Sequence, residues 1–242
     1  MGAEEKLVLL AGASGLVGGC ALEALLDAPE VMRVIALSRR ALGRQHPRLA
    51  NRIVQFERLE SQLQGTRCDA ALCCLGTTLR QAGSEQAFRA VDVDSVLAFA
   101  RAAGAAGARR MVVVSSAGAD PGARSFYLRT KGEMERLLEA AGFESLDILQ
   151  PSLLLGARAQ TRPLELGARL LMPLVNPLLR GRYLVYRAIS ARTVGTAMLG
   201  ATRSGRRGVQ RYTHEGIAAL ARLGASRIRP APPLPGSATK AR

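Results

Sequence analysis

Tyr127 and Lys131 have the residue types and the spacing needed for acid–base chemistry on an oxygen atom. Residues four apart on a helix lie on one face, so a phenol and an ammonium group at these positions point the same way. A phenol is a poor proton carrier at neutral pH unless a nearby positive charge stabilises its anion. Ser115 and Ser116 precede the pair, and a serine hydroxyl can polarise a carbonyl group. These four residues are the candidate catalytic set.

A glycine-rich segment near the amino terminus has the pattern of a phosphate-binding turn. Gly12, Gly15 and Gly18 follow an apolar run directly and precede a helical pattern. Glycines at such positions permit a tight turn and a close approach to a pyrophosphate, while the N–H groups that begin the helix face the phosphates. The predicted nucleotide contacts in this segment are Gly12, Ser14, Gly15, Leu16, Val17 and Gly18.

The residues that end the second apolar run indicate which dinucleotide is preferred. An NAD-preferring site would place a carboxylate there for the ribose hydroxyls, but the chain has Ser38, Arg39 and Arg40, and no acid until Glu57. A hydroxyl and two guanidinium groups would hold a 2′-phosphate, which a carboxylate would repel. NADP(H) is therefore favoured over NAD(H).

The fourth apolar run ends in adjacent cysteines, Cys73 and Cys74, followed by a bend. Thiols within a buried strand are usually packing groups, so we predict no catalytic role for them. The small residues after them let the chain pass beneath a cofactor, and threonine hydroxyls can bond ribose or phosphate. The predicted contacts here are Leu75, Gly76 and Thr77.

The elements that must position these residues follow from the order of the apolar runs. Strand-length runs alternate with helical patterns, which is typical of a doubly wound parallel α/β sheet, the Rossmann fold. Every motif above falls at the carboxyl end of a predicted strand, where this architecture binds ligands. The predicted strands are Leu7–Ala11, Val34–Leu37, Ile53–Phe56, Ala70–Leu75, Met111–Ser115 and Leu146–Leu149. The predicted helices are Gly18–Leu26, Ser84–Ala103 and Tyr127–Ala141.

The length of 242 residues and the hydrophobic fraction of 48% fit one compact domain. We predict a single nucleotide-binding domain over residues 1–225, in which 156–212 form a small, largely substrate-side covering region. Residues 226–242 are rich in Arg, Pro, Ser and Ala and are expected to be a disordered tail. Candidate substrate contacts in the covering region are Tyr183, Tyr186 and Arg187.

Composition also limits the location and the cofactors. The chain has no apolar run long enough for a membrane span and no basic leader before its first apolar run, so neither a span nor a secretory signal is predicted. Its four cysteines have neither zinc spacing nor the density of a disulfide scaffold. We therefore expect no metal and a reducing cytoplasm. His214 has no metal-ligand partner spaced near it and is interpreted as structural or exposed.

The net charge of +15 is concentrated in one region. Residues 158–242 hold 16 basic residues and only two acidic ones, Glu165 and Glu215. Such a surface can attract nucleic acid or anionic compounds. Aromatic side chains that could stack on bases are scarce among the arginines, so a solvated basic face is favoured over a nucleic-acid partner.

Together these motifs resemble the short-chain dehydrogenase/reductase superfamily, specifically its atypical branch related to the Tat-interacting-protein oxidoreductases and nucleoside-diphosphate-sugar-epimerase-like proteins. The similarity also includes Val91–Asp94 and Gln150–Gly156, which resembles the family's Arg-Pro-x-x-x-x-Gly with glutamine in place of arginine. It implies that Tyr127 is the general acid/base and that Lys131 tunes it and binds the nicotinamide ribose. It further implies that Ser115 or Ser116 orients the carbonyl and that Pro151 lies near the nicotinamide.

Two functions remain open, with a nucleic-acid binder as a weaker third. The first is an NADP(H)-dependent oxidoreductase acting on a carbonyl or alcohol, and the second is an NADP(H)-binding sensor without turnover. The complete Ser/Tyr/Lys set favours the enzyme, because a sensor has no need of a tuned phenol. The partner is expected to be a small-molecule substrate, and the arginines of the covering region hint that it is anionic.

Overall fold

A computed structural model describes residues 6–155 and 188–226, and its main feature is a seven-stranded parallel sheet. The strands follow the order β3-β2-β1-β4-β5-β6-β9, and every neighbouring pair is parallel. A separate parallel pair is formed by β7 and β8. In chain order the strands are β1 (Lys6–Ala11), β2 (Val31–Ser38), β3 (Leu49–Ile53), β4 (Ala70–Cys73), β5 (Arg110–Val114), β6 (Ser145–Leu149), β7 (Leu154–Leu155), β8 (Ile189–Ser190) and β9 (Gly208–Tyr212).

Helices cover both faces of the sheet. They are α1 (Leu16–Asp27), α2 (Leu59–Gln62), α3 (Leu79–Ala82), α4 (Glu85–Arg89), α5 (Ser95–Ala105), α6 (Phe126–Glu139), α7 (Ala191–Arg203) and α8 (His214–Ala225). A 3-10 turn, Phe56–Arg58, precedes α2, and a π-helical turn, Ala90–Asp94, joins α4 to α5. None of the helices within the described ranges is long and apolar enough to cross a membrane.

The core lies in two layers because successive strand residues point to opposite faces. On β1, Val8 and Leu10 pack beneath α1, α7 and α8, whereas Leu9 and Ala11 pack on the side of α5 and α6. A strand buried on both faces needs apolar residues at every position, which explains the continuous apolar runs. The predicted doubly wound parallel sheet is thus confirmed.

The third strand differs from its prediction. It was expected at Ile53–Phe56, but β3 is Leu49–Ile53, which pairs with Val34–Ser38 of β2. Val54 and Phe56 are buried in the segment that follows the strand, and Phe56 lies in the 3-10 turn. The apolar residues therefore mark where the chain turns back onto the core, since an edge strand itself needs few of them.

The segment after residue 187 completes the sheet and one helical layer. Helices α7 and α8 approach so closely that a Cβ on Gly200 would overlap the Leu220 carbonyl oxygen. The buried Arg203 guanidinium pairs with Glu30 and bonds the Gly224 carbonyl. Residues 188–212 of the predicted covering region thus belong in large part to the sheet and its helices. Residues 156–187, with Tyr183, Tyr186 and Arg187, lie outside the described residues, as does the predicted tail beyond Ser226.

Candidate active site

The glycine-rich turn has a backbone that only glycine fits at two positions. Gly12 has a φ of +83°, and a Cβ there would lie 2.5 Å from the Cys74 carbonyl oxygen. A Cβ on Gly18 would overlap the Gly12 carbonyl oxygen, so Gly18 holds α1 against the turn. Gly15 is the N-cap of α1, and no side chain caps the first N–H groups of that helix. A helix start of this kind suits an anion.

Two clefts open on either side of this turn, at the carboxyl edge of the sheet. The outer cleft, of about 450 Å³, is lined by Gly12, Ser14 and Gly15 from the turn and by residues that follow β2 and β3. The inner cleft, of about 390 Å³, is lined by Gly15, Leu16 and Val17 and by residues of β4, β5 and α6. The two clefts share Gly15 and the Cys74–Gly76 segment, so they form one continuous surface.

The three residues predicted to bind a 2′-phosphate, Ser38, Arg39 and Arg40, differ in their positions relative to the outer cleft. Arg39 lines the outer cleft, whereas Arg40 is exposed and does not. The Ser38 hydroxyl lines the cleft but is already engaged: it donates to the Arg40 carbonyl at 2.7 Å and accepts from Asn51 Nδ2 at 2.7 Å. Ser38 thus shapes the loop that presents Arg39. Glu57, which was not among the predicted contacts, lines the same cleft.

The candidate acid–base pair lies together in the inner cleft. Tyr127 and Lys131 both line it, from one face of α6. The Tyr127 ring is held edge-on by the buried Phe88, with 5.8 Å between ring centroids. Phe88 lies on α4, and a bidentate ion pair joins α4 to α6. In this pair the two Nη atoms of Arg89 donate to the two carboxylate oxygens of Glu133, at 2.5 and 2.7 Å.

Asp92 completes this pair and was not assigned a role from the sequence. Its carboxylate lies 2.7 Å from Lys131 Nζ, and both side chains are almost fully buried. The second Asp92 oxygen accepts the Thr77 N–H at 2.8 Å. Burial disfavours the charge on Lys131, but the Asp92 carboxylate and the Tyr127 phenol outweigh it, so the pKa of Lys131 is raised. Lys131 is therefore a fixed positive charge beside Tyr127.

Gly76 keeps the space above this ion pair open. A Cβ there would lie 3.4 Å from Asp92 Oδ1 and 3.7 Å from Lys131 Nζ. Three of the predicted nucleotide contacts lie at the clefts: Gly76 and Leu75 line both, and Thr77 lines the inner one. Together with the turn, they form a cradle that additional side-chain atoms would fill.

Another glycine allows the loop between Ser116 and Tyr127 to pass close to α6. Gly132 lies directly after Lys131 on α6, and a Cβ there would overlap backbone atoms of Asp120 and Pro121. The Asp120 carboxylate accepts the Gly122 N–H at 2.7 Å, which tightens the same loop. The loop can therefore cross α6 at close range and still deliver Tyr127 to the cleft.

The two candidate serines are in different positions. Ser115 lines the inner cleft at 5% exposure, and its hydroxyl donates to the buried carboxylate of Glu135. Ser116 lines neither cleft, and its hydroxyl lies 3.4 Å from the Ala117 carbonyl. Pro151 is buried outside both clefts, and its carbonyl accepts the Ala117 N–H at 2.9 Å. Only Ser115 therefore faces the cleft with Tyr127.

Gln150 occupies the position where the family pattern has arginine, and it contacts the carboxylate of Glu135. An arginine from another strand contacts the same carboxylate. Gln150 Nε2 donates to both oxygens of Glu135, at 2.9 and 3.0 Å. Arg211 of β9 donates through Nε to Glu135 at 3.1 Å. The Glu135 carboxylate is thus paired with a guanidinium group from β9, the neighbouring strand of the sheet.

The thiols at this edge are poor nucleophiles. Burial raises the pKa of Cys73 to about 12 and that of Cys74 well above its ordinary value. Cys74 lines both clefts, but its sulfur packs 3.2 Å from Met198 Sδ. All four cysteines of the chain are free.

A larger cavity, of about 770 Å³, opens at the opposite, amino edge of the sheet. Two of its basic side chains are engaged in the fold: Lys6 bonds the Thr202 carbonyl at 2.9 Å, and Arg110 pairs with the buried Asp147 at 2.7 Å. The acid–base groups and the glycine-rich turn lie at the carboxyl edge, so we assign the candidate site there.

Comparison with known proteins agrees with this geometry. A family model described as NAD(P)H-binding matches residues 12–167. Protein HTATIP2 of Rattus norvegicus is 37% identical over 172 residues, which cover 69% of this chain and 70% of that protein. Protein FMP52, mitochondrial, of Saccharomyces cerevisiae is 34% identical over 178 residues, which cover 72% of this chain and 77% of that protein.

Solved structures share the fold at low sequence identity. The Bordetella bronchiseptica enzyme WbmH in complex with NAD+ superimposes with a TM-score of 0.63 at 17% identity, covering 89% of this chain and 79% of that one. A UDP-glucose 4-epimerase with UDP-glucose from Thermotoga maritima gives a TM-score of 0.64 at 13% identity, covering 89% and 81%.

Proposed function

Because this chain belongs to the NAD(P)H-binding family, within the atypical short-chain dehydrogenases/reductases, we propose that it is an NADP(H)-dependent oxidoreductase acting on a carbonyl or alcohol. One observation carries the proposal: Tyr127 and Lys131 line the same cleft as the start of α1. A protein that only binds a nucleotide needs the turn and the helix start, but not a phenol beside a buried ammonium group.

The residues of the two clefts fit a dinucleotide. The pyrophosphate would lie at the start of α1, where Gly12 and Gly15 leave room for it. Arg39 would bind the 2′-phosphate in the outer cleft, which supports NADP(H) over NAD(H). Glu57 opposes that preference from the same cleft, so Arg39 must outweigh its charge. The nicotinamide would occupy the inner cleft beside Tyr127.

The chain's own groups then handle the proton. When bound, NADP(H) supplies or accepts the hydride. In the direction of reduction, the Tyr127 hydroxyl donates its proton to the carbonyl oxygen, and the Lys131 charge stabilises the phenolate that remains. Asp92 holds Lys131 in place, but its negative charge partly neutralises the ammonium group. Lys131 therefore stabilises the Tyr127 phenolate less than an unpaired lysine would. Ser115, which lines the inner cleft, would contact the substrate oxygen.

A sensor without turnover is the second candidate. Two observations favour a sensor: Lys131 is paired with Asp92, and Ser115 donates its hydrogen to Glu135. Both residues that would assist Tyr127 in catalysis therefore already have partners. Such a protein would bind NADP(H) as tightly as the enzyme does but would oxidise none of it.

Two reducing compartments are candidate locations. The four free thiols support a reducing environment, as the predicted cytoplasm would provide. Fungal relatives are named mitochondrial, which supports a mitochondrial location instead.

Consumption of NADPH distinguishes the two functions. The purified protein is incubated with NADPH and a panel of aldehydes and ketones, and the loss of absorbance at the nicotinamide band is followed. Tyr127→Phe should reduce the rate at least about a hundredfold, the usual contribution of a general acid. Tyr212→Phe is the matched control, because that hydroxyl bonds Asp147 at 3.0 Å and lies in neither cleft. Turnover that survives Tyr127→Phe contradicts the proposal, and binding without turnover of any panel member supports the sensor.

A further inference from the structure

The direction of the hydrogen bond between Ser115 and Glu135 can be read without ambiguity. A carboxylate has no hydrogen to donate, so Ser115 must be the donor and Glu135 the acceptor. The hydrogen of the only candidate serine in the inner cleft therefore points away from the cleft. What Ser115 still has to offer a substrate is an oxygen lone pair.

Glu135 is held firmly in this role. It is 3% exposed, accepts from Gln150 Nε2 at both oxygens, and accepts from Arg211 Nε at Oε2, 3.1 Å away. Arg211 also pairs with Glu139, one turn further along α6. Rotation of this buried carboxylate would break the hydrogen bonds that both of its oxygens accept. The hydrogen bond from the Ser115 hydroxyl to Glu135 is therefore maintained.

On the premise that the proposed oxidoreductase function is correct, we infer that Glu135 is a positioning residue that turns Ser115 into a hydrogen-bond acceptor, so that the inner cleft binds a neutral alcohol in preference to the matching carbonyl compound. An alcohol can donate to Ser115 Oγ while the serine keeps its bond to Glu135. A carbonyl oxygen can only accept, so it must take the Ser115 hydrogen away from a charged acceptor. Bonds to a charged acceptor are about twice as strong as neutral ones.

A single substitution should reverse the orientation of Ser115. In Glu135→Gln, Arg211 Nε remains opposite the Oε2 position and draws the amide oxygen to that side. The amide N–H2 then faces Ser115 and donates to it. Gln150, whose Nε2 donates to the same Glu135 oxygen in the native protein, turns its amide so that its oxygen accepts from the new N–H2 group. The Ser115 hydrogen is released toward the cleft, where a carbonyl oxygen can accept it.

The test measures binding without turnover, so it does not depend on the test of the proposed function. All proteins carry Tyr127→Phe and are saturated with NADP+, and cyclohexanol and cyclohexanone are titrated separately and followed by 15N NMR. With Glu135 present, cyclohexanol should bind at least about fivefold more tightly than cyclohexanone. Glu135→Gln should shift the ratio of the two dissociation constants by about tenfold toward the ketone, the factor expected for exchanging a charged for a neutral partner.

Two controls separate positioning from damage to the fold. Glu139→Gln alters the Arg211 pair but not Ser115, so the ratio should stay unchanged. In Ser115→Ala, the preference for cyclohexanol should disappear. Adding Glu135→Gln to that variant should leave the ratio of the two dissociation constants unchanged. The NADP+ affinity and the unfolding temperature show whether each variant folds. If Glu135→Gln fails to fold, the loss of the alcohol preference in Ser115→Ala still tests the inference.

Three outcomes would overturn the inference. The first is a ratio that Glu135→Gln leaves unchanged, and the second is a ketone preference with Glu135 in place. The third is a lack of cyclohexanol binding in protein that binds NADP+. None of these three outcomes would show that NADPH fails to reduce a carbonyl compound, so the proposed function would stand or fall separately.

Discussion

Asparagine at position 92 would keep the shape of the aspartate side chain but remove the charge that faces Lys131. The two groups are 2.7 Å apart and almost fully buried. Removing one partner of a buried ion pair costs about 3 to 5 kcal/mol, and the low end applies because the asparagine oxygen can still accept from Lys131. For a domain of this size each kcal/mol lowers the unfolding temperature by about 2 to 4 °C, so a fall of about 6 to 12 °C is expected.

The pH dependence of this loss identifies its cause. In the native protein, burial alone would lower the pKa of Lys131, but Asp92 and Tyr127 outweigh it and the pKa is raised. The stabilising contribution of Lys131 is thus fully present below its unfolded pKa, about 10.4, and is lost only as pH rises through the higher folded value. Without the Asp92 charge, burial should dominate and lower the pKa. The variant should then gain stability as pH rises toward 10, because the unfolded chain binds the proton more strongly.

The assay is urea unfolding of wild type, Asp92→Asn and Asp94→Asn at pH 7 and pH 9.5. Asp94 lies in the same π-helical turn but is exposed, so its variant is the matched control. The stability difference between Asp92→Asn and wild type should be smaller at pH 9.5 than at pH 7. Wild-type stability for Asp92→Asn at pH 7, or a deficit that does not change with pH, would refute the role given to this ion pair.

Two further substitutions test the clefts and the packing. Arg39→Ala should weaken NADPH binding about tenfold and leave NADH binding unchanged, because it removes one charge-assisted contact to the 2′-phosphate. Arg40→Ala, outside the cleft, should do neither in the same fluorescence titration, and equal effects would contradict the assignment. Gly200→Ala should destabilise by at least about 2 kcal/mol in urea unfolding, because its Cβ would overlap the Leu220 carbonyl oxygen. Gly104→Ala, which meets nothing within 4 Å on α5, should instead stabilise by about 0.5 to 1 kcal/mol, and similar behaviour of the two variants would contradict the close helix packing.

The sequence predicted the features that depend on neighbours along the chain. The glycine-rich turn and the Tyr127/Lys131 spacing are local patterns, and the structure brings both to one edge of the sheet. Ser115 and Ser116 look equivalent in the sequence. They differ only once β5 turns one of them toward the cleft.

The features that the sequence did not predict depend on distant contacts. Asp92 was visible only as part of a family resemblance, and its contact with Lys131 requires the π-helical turn to direct it inward. Arg211 reaches Glu135 from β9, a strand that was not predicted because its five residues lack an apolar run. The close approach of α7 and α8 depends on glycines whose role appears only when the two helices are side by side.

The most direct test of the assigned site is a titration of the purified protein with NADPH and with NADH, followed by nicotinamide fluorescence. Both nucleotides should bind, and NADPH should bind at least about tenfold more tightly, as a phosphate contact from Arg39 requires. If neither nucleotide binds at millimolar concentration, the glycine-rich turn only connects a strand to a helix, and the active site proposed around Tyr127 is wrong.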